Sequence, residues 1–108
     1  MISKELNAAI SNMLVLAVLR KGPSYGYDIQ RRIKMQSDGI LDWTEGMLYP
    51  VLHRLEKNGF VEARWGEAET GRKRKYYHLL PTGEQHLGEA IDAWYTVSDV
   101  LINLTEGE

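Results

Sequence analysis

Arg72, Lys73, Arg74 and Lys75 are four consecutive cations set between Gly71 and the pair Tyr76-Tyr77. Like charges this close repel one another unless an anion is near. DNA phosphates are the obvious polyanion, and contacts to them position a protein without reading sequence. The bland alternative is a solvated loop whose cations are partly neutralised by Glu67 and Glu69. Other reactive groups are dispersed. His53, His78 and His86 lack the His-x-x-x-His spacing of a metal site. No cysteine is present, which excludes disulfides, thiolate zinc sites and a cysteine nucleophile. No glycine-rich phosphate loop occurs, and Glu84, Glu89, Asp92 and Asp99 are most simply a solvated helix face. The chemistry on offer is anion binding, not catalysis, and no cofactor or metal is expected.

Charge along the chain supports this. The 108 residues carry a formal net charge of -2. Residues 1–80 hold all 13 Lys and Arg against 9 of the 15 acids, whereas residues 81–108 hold the other 6 acids and neither Lys nor Arg. A basic part and an acidic segment are thus hidden in a near-neutral average. The longest apolar run, Met13 to Leu19, is far short of the roughly 20 residues a membrane span needs. The N-terminus does not follow a signal-peptide order. These features predict a soluble, cytoplasmic, single-domain protein.

The elements that position the cations follow from periodicity. Leu6, Ile10, Met13, Leu14 and Ala17 recur at helical spacing, so residues 4–20 read as a helix stopped by Gly22-Pro23. Ser24 is expected to cap a second helix to about Met35, with Gly39 breaking it. A third helix from about Thr44 to Lys57 turns Leu48, Val51, Leu52 and Leu55 inward and ends at Asn58-Gly59. Pro50 must fall in its first turn or kink it. Phe60 to Trp65 and Lys73 to Leu79 alternate as strands, with Val61, Ala63 and Trp65 sharing one side, and a polar loop over 66–72 closes a hairpin. The last helix begins at Pro81 or Thr82 and runs to about Glu106, with Thr82 and Gln85 able to form a capping box. The fold class is mainly α with a small β-hairpin: a winged helix-turn-helix over residues 1–80 and a C-terminal dimerisation helix over 81–108, in one compact unit.

In this architecture the third helix reads sequence. Its outward face offers Glu45, Tyr49, His53, Arg54 and Lys57 to a major groove. Tyr49 can use its hydroxyl on the backbone or its ring on a thymine methyl. Arg54 and Lys57 suit phosphates, and His53 is equally an ordinary exposed histidine. Arg72, Lys73, Arg74, Lys75 and Tyr76 complete the DNA-contacting set. Arg31, Arg32 and Lys34 add a weaker basic signal from helix two. In the last helix Leu87, Trp94 and Leu101 are seven apart, as are Ala90, Val97 and Leu104. They form a heptad seam, while Ile91, Tyr95 and Ile102 lie outside it. Apolar groups on more than one side need cover from more than one direction. A second copy supplies it simply, giving a homodimer; packing on the helix's own domain is the alternative.

Three stretches carry a family resemblance. "GPSYGYDIQRRI", "EGMLYPVLHRLEKNGFVEARW" and "GRKRKYYHLLPTG" stand in the order and spacing found in the PadR family of bacterial transcription regulators, which this chain resembles over nearly its whole length. Two positions depart. Met47 stands where the family usually has serine or threonine, and Leu80 stands before Pro81 in place of the usual threonine cap, leaving Thr82 to start the helix slightly later. The resemblance implies a dimeric repressor whose recognition helices enter successive major grooves of an inverted-repeat operator, with half-sites roughly 34 Å apart. It also implies the short subfamily, whose members often respond to flat aromatic or lipophilic compounds held between subunits. Trp94 is an unusual choice in a tight heptad seam. Paired across a dimer axis, two such rings could sandwich a planar aromatic molecule, with Met13 and Asn12 as companions and Asp99 or Ser98 supplying polarity; the alternative is a large core residue. A winged helix used only for protein contacts is the rival to the DNA reading.

Overall fold

The computed structural model describes residues 2–106; the outer limits expected for the two regions, residues 1 and 108, lie outside them. Three helices come first: α1 (Lys4–Arg20), α2 (Gly26–Gln36) and α3 (Glu45–Lys57). A two-stranded antiparallel sheet follows, β1 (Val61–Glu67) paired with β2 (Lys73–Leu79), and α4 (Pro81–Glu106) ends the chain. This is the winged helix-turn-helix with an added helix that the periodicity predicts. No described helix is long and apolar enough to cross a membrane.

The core lies where the helices meet the root of the hairpin. Val15, Leu16 and Leu19 of α1 pack with Ile29 and Ile33 of α2 and with Leu48, Val51, Leu52 and Leu55 of α3, and Val61, Tyr77 and Leu87 close the cluster. Trp43 anchors the turn between α2 and α3. Its indole N–H donates to Asn7 Oδ1 at 3.2 Å, and its carbonyl accepts from Gln30 Nε2 at 2.7 Å. Thr44 caps α3 by accepting the Met47 N–H at 3.2 Å. Pro50 does not fall in the first turn. It stands in the second, where its missing N–H leaves the carbonyl of exposed Gly46 to water, and the helix runs on to Lys57.

Several expectations need correction. Ser24 does not cap α2. Its backbone forms an isolated antiparallel bridge with Tyr77, at 2.8 and 3.2 Å, adding a third short element to the hairpin. Its buried hydroxyl donates to Asp28 Oδ2 at 2.7 Å instead of accepting from the helix. Thr82 forms no capping box: α4 starts at Pro81, the Glu84 N–H donates to the Leu80 carbonyl, and the Thr82 hydroxyl donates to the Gly59 carbonyl. Gly83 is required there because the Phe60 carbonyl oxygen occupies the space of a Cβ.

The hairpin is longer than expected. β1 continues through Gly66 and Glu67, which pair with Arg74 and Lys73. β2 keeps its expected bounds, so Lys73, Arg74 and Lys75 sit on a strand and Arg72 lies in the connecting turn. Trp65 is not on the core side of the sheet in any useful sense, because the strand has already left the core and the ring is 72% exposed.

The last helix divides in two. Leu87 is wholly buried in its own protomer, so it is a core residue and cannot join a seam with a second copy. Ala90 and Ile91 are half-buried. Beyond them Trp94, Tyr95, Val97, Val100, Leu101, Ile102 and Leu104 are all exposed. A helix of 26 residues is about 39 Å long, and the far half of α4 stretches the described chain to 60 Å in a body only 29 × 20 Å across.

Candidate nucleic-acid interface

Helix α3 presents Glu45, Tyr49 and His53 at four-residue spacing, all exposed, with Lys57 exposed at its end. Tyr49 is held in place from behind. A Cβ on Gly26 would come within 2.8 Å of its hydroxyl oxygen, so glycine at the start of α2 is what lets the two helices approach with the phenol between them. Arg54 departs from this row. Its guanidinium donates to Asn12 Oδ1 at 3.4 Å, on the side of α3 that faces α1. It is thus separated from that row. Asn12, expected beside an effector, is turned toward it.

The wing is braced by aromatic rings. The Arg74 guanidinium lies 4.3 Å from the centroid of Tyr25, and Tyr25 meets Tyr76 edge-on at 5.6 Å. Tyr76 is half-buried in this stack, so it supports the strand more than it reaches outward. On the other face of β2, Lys75 Nζ stands 5.7 Å from the ring of Tyr77. Burial pushes the Tyr77 hydroxyl above its ordinary pKa, and Glu56 and Tyr49 push it the same way, so it stays protonated. Among the described residues none of Arg72, Lys73, Arg74 and Lys75 has a carboxylate within 4.0 Å, and Glu67 and Glu69 make no ion pair with them.

Helix α2 behaves differently. Arg31 and Arg32 both pair with Asp28, at 2.7 and 3.0 Å, and Lys34 reaches Asp42 at 3.6 Å. Burial opposes ionisation of Asp28. The hydrogen bonds from Ser24 and Arg31 and the charges of Arg32 and Arg31 outweigh it, and the carboxyl lies below its ordinary pKa. Each cation of α2 thus has a carboxylate partner, with Arg31 and Arg32 sharing one, while the four clustered cations of the wing have none among the described residues.

Helix α3 and the wing meet in one cleft of about 590 Å³. Tyr49 and Glu45 of α3 line it together with Arg72, Lys73, Arg74 and Lys75, so the sequence-derived set is brought together apart from Arg54, His53, Lys57 and Tyr76. Tyr25, Gly26, Tyr27, Trp65 and Tyr77 complete the lining. Tyr27 and Trp65, 67% and 72% exposed, are the residues sequence reasoning missed. Tyr27 lies far from the basic run in sequence and gave no signal, and the strand alternation assigned Trp65 to the side of Val61 and Ala63. The residues expected to hold an effector lie apart from this cleft: Met13 and Asn12 are half-buried on α1, and Trp94 and Asp99 are exposed on α4. Among the described residues no three of His, Asp and Glu gather into a metal-sized group.

Residues 15–89 match the model of the transcriptional regulator PadR-like family. The chain is 33% identical over 73 residues to the negative transcriptional regulator PadR of Bacillus subtilis, covering 68% of this chain and 40% of that protein. Its fold superposes on a transcriptional regulator from Clostridium thermocellum with a TM-score of 0.88 at 30% identity, over 97% of this chain and 99% of the other. A PadR-like transcriptional regulator from Bacillus cereus gives 0.85 at 28% identity, over 97% and 100%.

Proposed function

Because the chain belongs to the PadR-like family of transcriptional regulators, we propose that two copies join through α4, bind an inverted-repeat operator as a repressor, and release it on binding a planar aromatic or lipophilic compound. The family is one of DNA-binding regulators, not enzymes. One observation carries the reading: Tyr49 of α3 and four cations without carboxylate partners line the same cleft. A surface that collects positive charge beside the exposed face of a reading helix fits a major groove and the phosphates next to it. Tyr49 and His53 contact bases, while Lys57, Arg72, Lys73, Arg74 and Lys75 hold phosphates. Tyr76 holds Arg74 through the Tyr25 stack, and Arg54 binds phosphate only after leaving Asn12. A wing serving protein contacts alone would need no such cations.

Dimerisation rests on the far half of α4. Ala90, Trp94, Val97, Leu101 and Leu104 remain on the expected seam once Leu87 is assigned to the core. A second copy covers them most economically, and symmetry then sets two reading helices on one side of a duplex. Repression is supported by the name of the Bacillus subtilis relative. Trp94, 47% exposed midway along α4, offers a ring for an aromatic effector, and in this reading Met13, Asn12 and Asp99 are its companions once a second copy is in place.

Footprinting on the DNA upstream of the protein's own coding region tests operator, symmetry and half-site spacing together. Two protected half-sites one helical turn apart are expected, with binding that weakens by roughly 0.9 log unit per phosphate contact per decade of salt. Protection at a single unsymmetric site, or a flat salt response, would overturn the reading. Titration of planar dyes should quench tryptophan emission, and quenching unaltered by Trp94→Ala would remove that residue from the effector site.

A further inference from the structure

A DNA strand alternates charged phosphates with apolar deoxyribose, so a surface that grips one strand from both sides needs cations and apolar rings together. The cleft between α3 and the wing has both. Trp65 lies on β1 directly across from Lys75 in the sheet register, and Tyr27 lies at the start of α2. Both rings are among the most exposed large side chains of the protein, at 72% and 67%, yet neither belongs to the apolar seam of α4. A single exposed ring needs no explanation, but these two line one cleft with four cations, which is where a bound polyanion would cover them.

We propose that Trp65 and Tyr27 form the two jaws of a clamp on the single DNA strand that separates the major groove read by α3 from the minor groove beside the wing. Each ring packs on deoxyribose while Arg72 and Lys75 take the phosphates between them. Glu45, the one acid lining the cleft, stands at the first turn of α3 and is left to face a base edge, where it can accept from a cytosine amino group. The clamp adds apolar grip to a contact that would otherwise be electrostatic, and holds the wing at a fixed distance from the reading helix. It rests on the DNA-binding reading above.

The test uses full-length protein carrying 5-fluorotryptophan and a duplex of roughly 30 base pairs recovered from a random pool by selection with the wild-type chain. Fluorine NMR gives one signal per tryptophan, and Trp65→Phe identifies the one belonging to residue 65. Addition of duplex should shift that signal and leave buried Trp43 in place. Trp65→Ala and Tyr27→Ala should each weaken binding about tenfold while the salt slope stays at its wild-type value, because an apolar contact releases no counterions. Trp65→Phe should lose about twofold. If the wild-type chain binds and the residue-65 signal does not move, or Trp65→Ala binds within twofold of wild type, the clamp is wrong and the DNA reading stands. If the pool yields no bound duplex even in dilute salt, the DNA reading itself fails.

Discussion

Arg74 and Arg31 show how the same side chain is committed differently within one molecule. Arg31 donates to Asp28 at 2.7 Å and shares that carboxylate with Arg32, so its charge is partly answered inside the fold. Arg74 lies over the ring of Tyr25, which Tyr76 meets edge-on, and this stack fixes its direction without cancelling its charge. Arg74→Ala should therefore weaken binding to all duplexes alike and lower the salt slope by about one phosphate contact, measured by fluorescence anisotropy over a salt series. Asp28→Asn should act on stability instead. The Asp28 carboxyl lies below its ordinary value of 3.8, so its contribution is complete above that value and is lost as pH falls through the lower folded value. Asn at 28 should cost about 1–2 kcal/mol at neutral pH, with the difference from wild type closing in acid, as read by urea unfolding.

The hairpin and α4 are joined at one tight point, where the elements depend on a single atom. The Phe60 carbonyl fills the space beside Gly83, and Thr82 donates to the carbonyl of Gly59 next to it. Gly83→Ala should push α4 off the root of the wing. A loss of about 2 kcal/mol is expected, lowering the melting temperature by roughly 10 °C, which calorimetry or circular dichroism would read. Element types were legible from the sequence because apolar spacing is imposed by the core: Leu48, Val51, Leu52 and Leu55 could sit on no other face of α3. What was hidden depended on partners distant in sequence. Ser24 looks like a helix cap until Tyr77 takes its backbone, and Leu87 looks like a seam residue until α1 and Phe60 close around the start of α4. Trp65 shares the alternation of Val61 and Ala63, but no pattern in β1 says where the core stops beneath it. The cations of the wing were legible because charge needs no fold to be seen. Their meeting with Tyr49 was not, since it depends on how far the hairpin leans toward α3.

At the scale of the whole molecule, one half of α4 belongs to the protomer and the other half belongs to nothing in it. Seven large apolar side chains from Trp94 to Leu104 stand in water on an arm whose other polar groups include Asp92 and Asp99 and no cation. Burying such an arm against a second copy removes apolar area from water on both chains, at about 25 cal/mol per Å² before association costs are subtracted. Because Val97 and Leu101 are exposed in the single chain, replacing them with glutamate removes nothing from the protomer core. The pair Val97→Glu, Leu101→Glu should thus yield folded monomers, with wild-type helix content by circular dichroism and half the mass by light scattering. Two further consequences separate a dimer built for operators from an incidental one. The melting temperature of the wild type should rise with protein concentration, since unfolding and dissociation are linked, whereas that of the double variant should not. On a selected inverted repeat the double variant should fall to the weak affinity of one half-site, because the second reading helix is no longer tethered beside the first. A monomeric variant that still holds the full operator at wild-type affinity would place the symmetry in the DNA alone and leave the arm of α4 to another partner.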